Sequence, residues 1–163
     1  MYKLQLDREY SQELFSESSK EIREWVVNAI ANIVVADDII EKHEFVALQE
    51  AMGLLDSKEE ILDLMKKVKE RNLFEIKKIK MDPDLSLKIF FYLAGIAVID
   101  GSLKKSEAEL LKKCGNCLNL ETENIRAGIG WAVKQMEINK KLGHDLKKSN
   151  NERSRIIDSS IIN

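Results

Sequence analysis

The sequence predicts an all-α, single-domain protein, a duplicated bundle of about seven helices with a pseudo-two-fold repeat. Three observations support this prediction. Apolar residues recur every three or four positions along most of the chain, helix-capping residues precede several of these stretches, and no stretch shows the alternation of a β-strand. With 163 residues, of which 44% are hydrophobic, the chain can bury one core without a disulfide.

The repeat has a constant offset of 63 residues between its two copies. In each copy an apolar run leads into an acidic loop, so that Asp37 aligns with Asp100 and Glu44 aligns with Glu107. Apolar residues align at the same offset on both sides of the loops: Ala31 with Ala94, Ile33 with Ile96, Val35 with Val98, Ile40 with Leu103 and Leu48 with Leu111. Each half is therefore expected to contain an apolar helix, an acidic loop and a second helix.

This organisation predicts the limits of the domain. We expect an N-terminal arm over residues 1–17, the helical domain over 18–143 with repeat halves at about 18–81 and 82–143, and a polar C-terminal tail over 144–163. The chain's only proline, Pro83, follows an aspartate that can cap a helix, and this pair is expected to open the second half.

The first half is expected to contain three helices. Residues 18–21 (Ser-Ser-Lys-Glu) have the sequence of a capping box, so a helix should begin there and run to about Ala36. A second helix should extend from the acidic loop to Gly53 and bury Phe45, Leu48, Ala51 and Met52. A third should follow the cap at 56–59 (Asp-Ser-Lys-Glu) and bury Ile61, Leu64, Met65 and Val68. Residues 73–80 then form a short basic amphipathic segment.

The second half is expected to supply the centre of the core. Residues 85–99 are apolar on nearly every side, which is typical of a helix that is buried all round. A helix from about Lys104 to Gly115 and a last one from about 121 to Gly143 should follow. Within the last helix Gly128 and Gly130 are expected to allow close helix contact. Trp25 of the first helix and Trp131 of the last helix fit core positions.

Composition excludes several classes of function. A net charge of −2 and a pI near 5.8 argue against a nucleic-acid-binding protein. Neither a signal peptide nor a membrane span is expected, and we interpret the protein as cytoplasmic. Residues 66–80 have a local charge of +5, which is typical of a solvated face but would also suit an acidic partner or an anionic membrane surface. No catalytic motif is present, so no enzymatic activity is expected.

The two cysteines have the spacing of a redox motif. Cys114 and Cys117 are expected at the carboxyl end of a helix, where the helix dipole disfavours a thiolate. A zinc site would need two further ligands, and the only histidines are His43 and His144. We therefore expect two small buried side chains.

The second acidic loop matches the latter half of an EF-hand loop, from Asp100 to Glu107. The two leading ligand positions would be Ile96 and Val98, which have no oxygen ligand. A standard EF-hand is therefore excluded.

Both loops instead resemble the motif of the TerB-like family of tellurite-resistance and related stress proteins. Its members look like duplicated helical domains with an apolar helix, an Ala-Asp-Gly-x-(Ile/Val)-x-x-x-Glu loop and another helix. The motif here is Val-Ala-Asp-Asp-Ile-Ile-Glu-Lys-His-Glu at 35–44 and Val-Ile-Asp-Gly-Ser-Leu-Lys-Lys-Ser-Glu at 98–107, and residues about 20–137 carry the layout twice. The departures are Asp38 in place of glycine, Ile99 in place of alanine, and Lys104 and Lys105 in place of acidic or capping residues.

The motif carboxylates have two interpretations. Glu44 and Glu107 fall in the first turn of a helix, where a carboxylate can simply cap free amides. Asp37 and Asp100 follow the carboxyl end of an apolar helix, where a negative charge costs ~0.3–1 kcal/mol. A bound cation would offset that cost, and so would a turn in which the aspartate accepts amides of its own loop. If the halves pack with two-fold symmetry, the four carboxylates could converge into an all-oxygen site.

The resemblance implies a non-enzymatic domain of a bacterial stress response. It implies a divalent metal ion bound at Asp37, Glu44, Asp100 and Glu107, with calcium, magnesium or manganese favoured over zinc, and a protein partner among membrane-associated stress-response components. The alternative is a protein-interaction or dimerisation module, including a homodimer, in which the same carboxylates only cap helices.

Overall fold

The computed structural model describes residues 15–36, 40, 42–72, 75–98 and 101–147. Within these residues the protein is all-helical, which confirms the predicted fold class. The described helices are α1 Lys20–Val35, α2 Lys42–Met52, α3 Lys58–Glu70, α4 Pro83–Ala97, α5 Lys105–Cys117 and α6 Thr122–Asp145. The count of about seven helices and the two-fold repeat stay predictions. No helix of the described part of the chain is long and apolar enough to cross a membrane.

Local capping sets where the helices begin. The side chain of Ser19 accepts a hydrogen bond from the amide of Ile22, so α1 begins where predicted but without the glutamate of a capping box. The capping box is at α3, where Ser57 Oγ accepts from the amide of Glu60 at 3.2 Å and the Glu60 carboxylate accepts from the amide of Ser57 at 3.2 Å. Asp82 caps α4 ahead of Pro83, as expected.

Helices α1 and α4 lie at the centre of the bundle. They contact each other, α1 also packs against α2 and α5, α4 packs against α5 and α6, and α5 packs against α6. The core includes Ile30, Phe90, Leu93 and Leu111, none of which is exposed. The expectation that α4 is buried all round is wrong on one side, because the side chain of Phe91 is 37% exposed.

Buried positions recur between the halves at the offset of 63 residues. In α1 and α4 these pairs are Val26 with Ile89, Val27 with Phe90, Ile30 with Leu93, Ala31 with Ala94, Ile33 with Ile96 and Val34 with Ala97. In α2 and α5 they are Glu44 with Glu107, Leu48 with Leu111 and Ala51 with Cys114. At this offset α1 and α4 therefore bury aligned residues, and so do α2 and α5.

Two glycines set how closely α6 approaches its neighbours. A Cβ atom on Gly128 would lie 2.5 Å from Cε1 of Phe90, and one on Gly115 in α5 would lie 2.6 Å from Cγ1 of Ile125. Gly128 thus confirms the predicted close contact, here between α4 and α6.

Three other glycine predictions are wrong. An added Cβ on Gly130 would meet nothing within 4 Å, so this glycine does not serve helix contact. The last helix also continues through Gly143 to Asp145, because a glycine costs only about 1 kcal/mol in a helix and need not end one. Similarly, α5 extends past the expected stop at Gly115 to Cys117.

The segment between α3 and α4 is held against the core by backbone contacts. The indole Nε1 of Trp25 donates a 2.7 Å hydrogen bond to the carbonyl oxygen of Lys77. The amide of Ile79 donates to the carbonyl of Cys117 at 3.0 Å, and the Cys117 thiol lies 3.5 Å from the carbonyl of Ile76. Ile76 and Ile79 are buried while the lysines around them are exposed, which confirms an amphipathic segment over its described part, 75–80.

The end of the predicted N-terminal arm contributes to the core. Phe15 is 2% exposed and packs edge-on against Tyr92 of α4, with ring centroids 5.3 Å apart and planes at 71°. The rest of the arm, residues 1–14, lies outside the described residues.

Candidate functional site: two buried motif glutamates

The two motif glutamates are buried at equivalent places in two helices. Glu44 lies in the first turn of α2 and is 5% exposed, and Glu107 lies in the first turn of α5 and is 1% exposed. Among the side chains that the structure describes, they are the only charged ones that are buried. One turn after each comes a buried leucine, Leu48 in α2 and Leu111 in α5.

Burial separates these two residues from the other acidic residues at helix starts. The first-turn acids of the other helices, Glu21, Glu59, Asp84 and Glu123, are exposed. Even Glu60, which closes the capping box of α3, keeps 31% of its side chain exposed. Capping therefore does not require the burial that Glu44 and Glu107 show.

A buried carboxylate is costly unless its charge is compensated. Moving one carboxylate out of water costs on the order of several kcal/mol, which hydrogen bonds, ion pairs or a bound cation must offset. Glu107 lies on a helix that packs against α1, α4 and α6, so its surroundings are the interior of the bundle. The equivalent burial of Glu44 makes this pair the chemically most distinctive feature of the described residues.

The other two predicted ligands, Asp37 and Asp100, lie outside the described residues, as do residues 38–39 and 99 of the same loops. Within the described ranges no group of three or more His, Cys, Asp or Glu side chains is placed to hold a metal ion. The convergence of four carboxylates thus stays a prediction.

The described part of the second loop has one special backbone conformation. Gly101 has φ of +86°, and its amide donates to the carbonyl of Val98 at 3.0 Å. Glycine adopts this conformation without the steric cost that a Cβ atom would bring. This conformation explains why the motif has glycine after the aspartate in this copy.

The cysteine pair is structural, as predicted. Cys114 and Cys117 are free thiols, 0% and 8% exposed. Burial is the main cause that raises the pKa of Cys114 from 9.0 to about 12, and burial also raises the pKa of Cys117. Neither thiol is therefore activated as a nucleophile or a redox centre near neutral pH.

Several apolar side chains predicted for the core are exposed instead. On α2, Glu44 and Leu48 occupy the buried side, and Phe45, which was predicted for the core, is 44% exposed. Val46, for which no position was predicted, is 41% exposed. On α3, Met65 is 45% exposed, although Leu64 and Val68 are buried as expected.

Trp131 is also on the surface, so its predicted core position is wrong. It is 45% exposed and lies beside Phe91, with ring centroids 6.1 Å apart and planes at 57°. Trp25, in contrast, is buried as expected. Ile125 and Ala132 of the same helix are buried, so Trp131 lies outside the core-facing side of α6.

Comparison with family models, curated proteins and solved structures gives no match for this chain. The resemblance to the TerB-like family therefore rests on the two motifs and their spacing.

Proposed function

We propose that this protein is a non-enzymatic, TerB-like domain that binds a divalent cation through Asp37, Glu44, Asp100 and Glu107. The observation that supports the proposal is the burial of both motif glutamates, at 5% and 1% exposure, in the first turns of corresponding helices. The burial of two carboxylates is costly unless hydrogen bonds, ion pairs or a bound cation offset that cost. We infer that a cation between the two halves supplies part of that compensation.

The chemistry of the donor set fits a hard divalent ion. Carboxylate oxygens favour calcium, magnesium and manganese, whereas zinc is more often bound by thiolates and imidazoles. The two cysteines are buried at the far end of α5 from Glu107, and their raised pKa values oppose the thiolate that zinc would need. In the proposed site Glu44 and Glu107 are the interior ligands, and Asp37 and Asp100 are the loop ligands.

The wider role follows from the resemblance. We propose a cytoplasmic protein of a bacterial stress response that acts with a membrane-associated protein partner. The cation would then set the arrangement of the two acidic loops rather than take part in a reaction.

A thermal melt of chelator-stripped protein with added calcium, magnesium, manganese or zinc tests the proposal. An ion that binds only the folded state at a hundredfold excess over Kd adds about 2.7 kcal/mol, which raises Tm by about 5–10 °C in a protein of this size. The gain should be lost in an Asp100→Asn/Glu107→Gln variant. It should persist in Glu109→Gln, which alters an exposed carboxylate of the same helix. No shift with any of the four ions would contradict the proposal.

The second candidate function, a protein-interaction or dimerisation module, is favoured by the exposed Phe45 and Val46. These side chains lie next to the buried Glu44 on α2, so the glutamate could fix the helix while the apolar pair contacts a partner. If this is the function, the molecular mass in solution should depend on protein concentration and should not respond to chelator. In Phe45→Ser the mass should fall to that of a monomer.

A further inference from the structure

We propose that residues 156–162 of this chain dock in cis on an exposed stripe of α6 formed by Trp131, Lys134, Ile138 and Lys141, called here the α6 stripe. The inference does not depend on the metal site. It rests on the surface of α6 and on the chemistry of the sequence that follows this helix.

The α6 stripe is an apolar and basic surface on one side of the helix. Its four residues are spaced by three, four and three positions, which places them on one helical face, and all four are exposed. Trp131 is 45% exposed and Ile138 is 56% exposed. Trp131 and Ile138 are thus two large apolar side chains exposed on the same face of α6.

The Trp131 end of the stripe is backed by packed residues. The ring of Phe91 lies 6.1 Å from that of Trp131 between centroids. One turn earlier on α6, an added Cβ at Gly128 would lie 2.5 Å from Phe90 and 3.2 Å from Phe91, so α6 is held tightly against α4 at this point. A tryptophan on such a rigid support is the kind of residue that dominates the free energy of a contact.

The sequence that follows α6 is complementary to this surface. Residues 148–163 lie outside the described residues, and within them 156–162 read Ile-Ile-Asp-Ser-Ser-Ile-Ile. Two isoleucine pairs therefore flank Asp158. They match the apolar Trp131 and Ile138, and the aspartate matches Lys134 between them.

The distances also allow the contact. Trp131 and Ile138 are about 10 Å apart along the helix axis. The centres of the two isoleucine pairs are about 8 Å apart if the segment is helical and about 16 Å apart if it is extended, which brackets that distance. From Asp145 back to Trp131 is about 21 Å, and the 11 residues from Asp145 to Ile156 can span up to ~36 Å.

Attachment to the same chain favours this occupant over others. A segment joined by a short connection has an effective concentration in the millimolar range. A second copy or another protein at micromolar concentration would compete poorly for the same stripe. The segment would thus cover the stripe unless a tighter ligand displaces it.

Acrylamide quenching of tryptophan fluorescence tests the contact in the full chain. Trp25 is 8% exposed and contributes little to quenching, so the quenched emission reports on Trp131. In Ile157→Ser/Ile161→Ser, measured at 1 μM, we expect the quenching constant to be at least twofold higher than in the unaltered chain. Asn150→Ser/Asn151→Ser, which changes the same region without removing apolar side chains, should leave the constant unchanged.

A second readout follows the segment itself. Trypsin cleavage after Arg153 and Arg155 should be at least threefold faster in Trp131→Ala than in the unaltered chain, and unchanged in Val46→Ala. Equal quenching of Trp131 in the isoleucine variant and the unaltered chain would overturn the proposal. Protection of Trp131 that grows between 1 and 100 μM protein would also overturn it, because it would assign the stripe to a second copy.

Discussion

Gly128 of α6 lies so close to Phe90 of α4 that a Cβ atom at this glycine would be 2.5 Å from the ring carbon Cε1. The ring belongs to a side chain with no exposed surface, so it has little room to move. The contact fixes the distance between α4 and α6 and, with it, the side of α6 that faces the core.

We therefore expect Gly128→Ala to destabilise the protein by about 1–3 kcal/mol through overpacking, although alanine favours a helix. Gly130→Ala is the matched control, because its added methyl group would meet nothing within 4 Å. This change should stabilise by up to about 1 kcal/mol. Urea denaturation of both variants measures the difference, and equal effects would contradict the close contact.

The two tryptophans should differ in their contribution to stability. Trp25→Phe removes the hydrogen bond to the carbonyl of Lys77, and we expect a loss of about 1–2 kcal/mol together with faster hydrogen exchange at the amide of Ile79. Trp131→Phe changes an exposed ring and should alter the free energy of unfolding by less than about 0.5 kcal/mol. Unchanged exchange at Ile79 in Trp25→Phe would show that the indole does not hold this segment.

Cys114 should make stability depend on pH in the alkaline range. Its pKa is raised from 9.0 to about 12 in the folded protein, so the folded state keeps a proton that the unfolded state loses. The free energy that the protonated Cys114 thiol contributes to folding is fully present below about pH 9. It is lost as the pH rises toward 12, by at most about 1.4 kcal/mol per pH unit. The difference in unfolding free energy between the unaltered chain and Cys114→Ala should therefore shrink from pH 8 to pH 10.5. A constant difference would contradict the raised pKa.

Gly101 should resist substitution because of its backbone conformation. Because Gly101 has a φ of +86°, Gly101→Ala is expected to destabilise the folded protein by about 1–2 kcal/mol. Gly143→Ala is the control, because this glycine lies within α6 and has open space around it, and alanine there should be neutral or stabilising. Thermal unfolding of the two variants compares them directly, and a neutral Gly101→Ala would show that the loop can adopt another conformation.

Much of the fold follows from local sequence patterns. Serine and aspartate caps and apolar periodicity placed α1, α3 and α4 to within a few residues, because these signals act between near neighbours in the chain. The offset of 63 residues also paired Glu44 of α2 with Glu107 of α5, and both are buried.

Other features depend on tertiary packing and were missed. Trp131 and Phe45 were predicted for the core, and both are exposed. Their exposure depends on how each helix packs, with Gly128 of α6 against Phe90 and with Glu44 on the buried side of α2. The burial of the glutamates had no local signal either, since a first-turn glutamate is normally exposed. Its only trace in the sequence is the repetition of glutamate at the same offset as buried apolar residues.

We propose that the two buried glutamates belong to one cation site. Calorimetric titration of chelator-stripped protein with calcium, magnesium and manganese, at pH 7 and about 0.15 M salt, tests whether they do. We expect one ion to bind per chain, and we expect binding to be lost in Glu44→Gln and in Glu107→Gln but retained in Glu109→Gln. No binding heat with any ion, or binding that survives both glutamate substitutions, would contradict it.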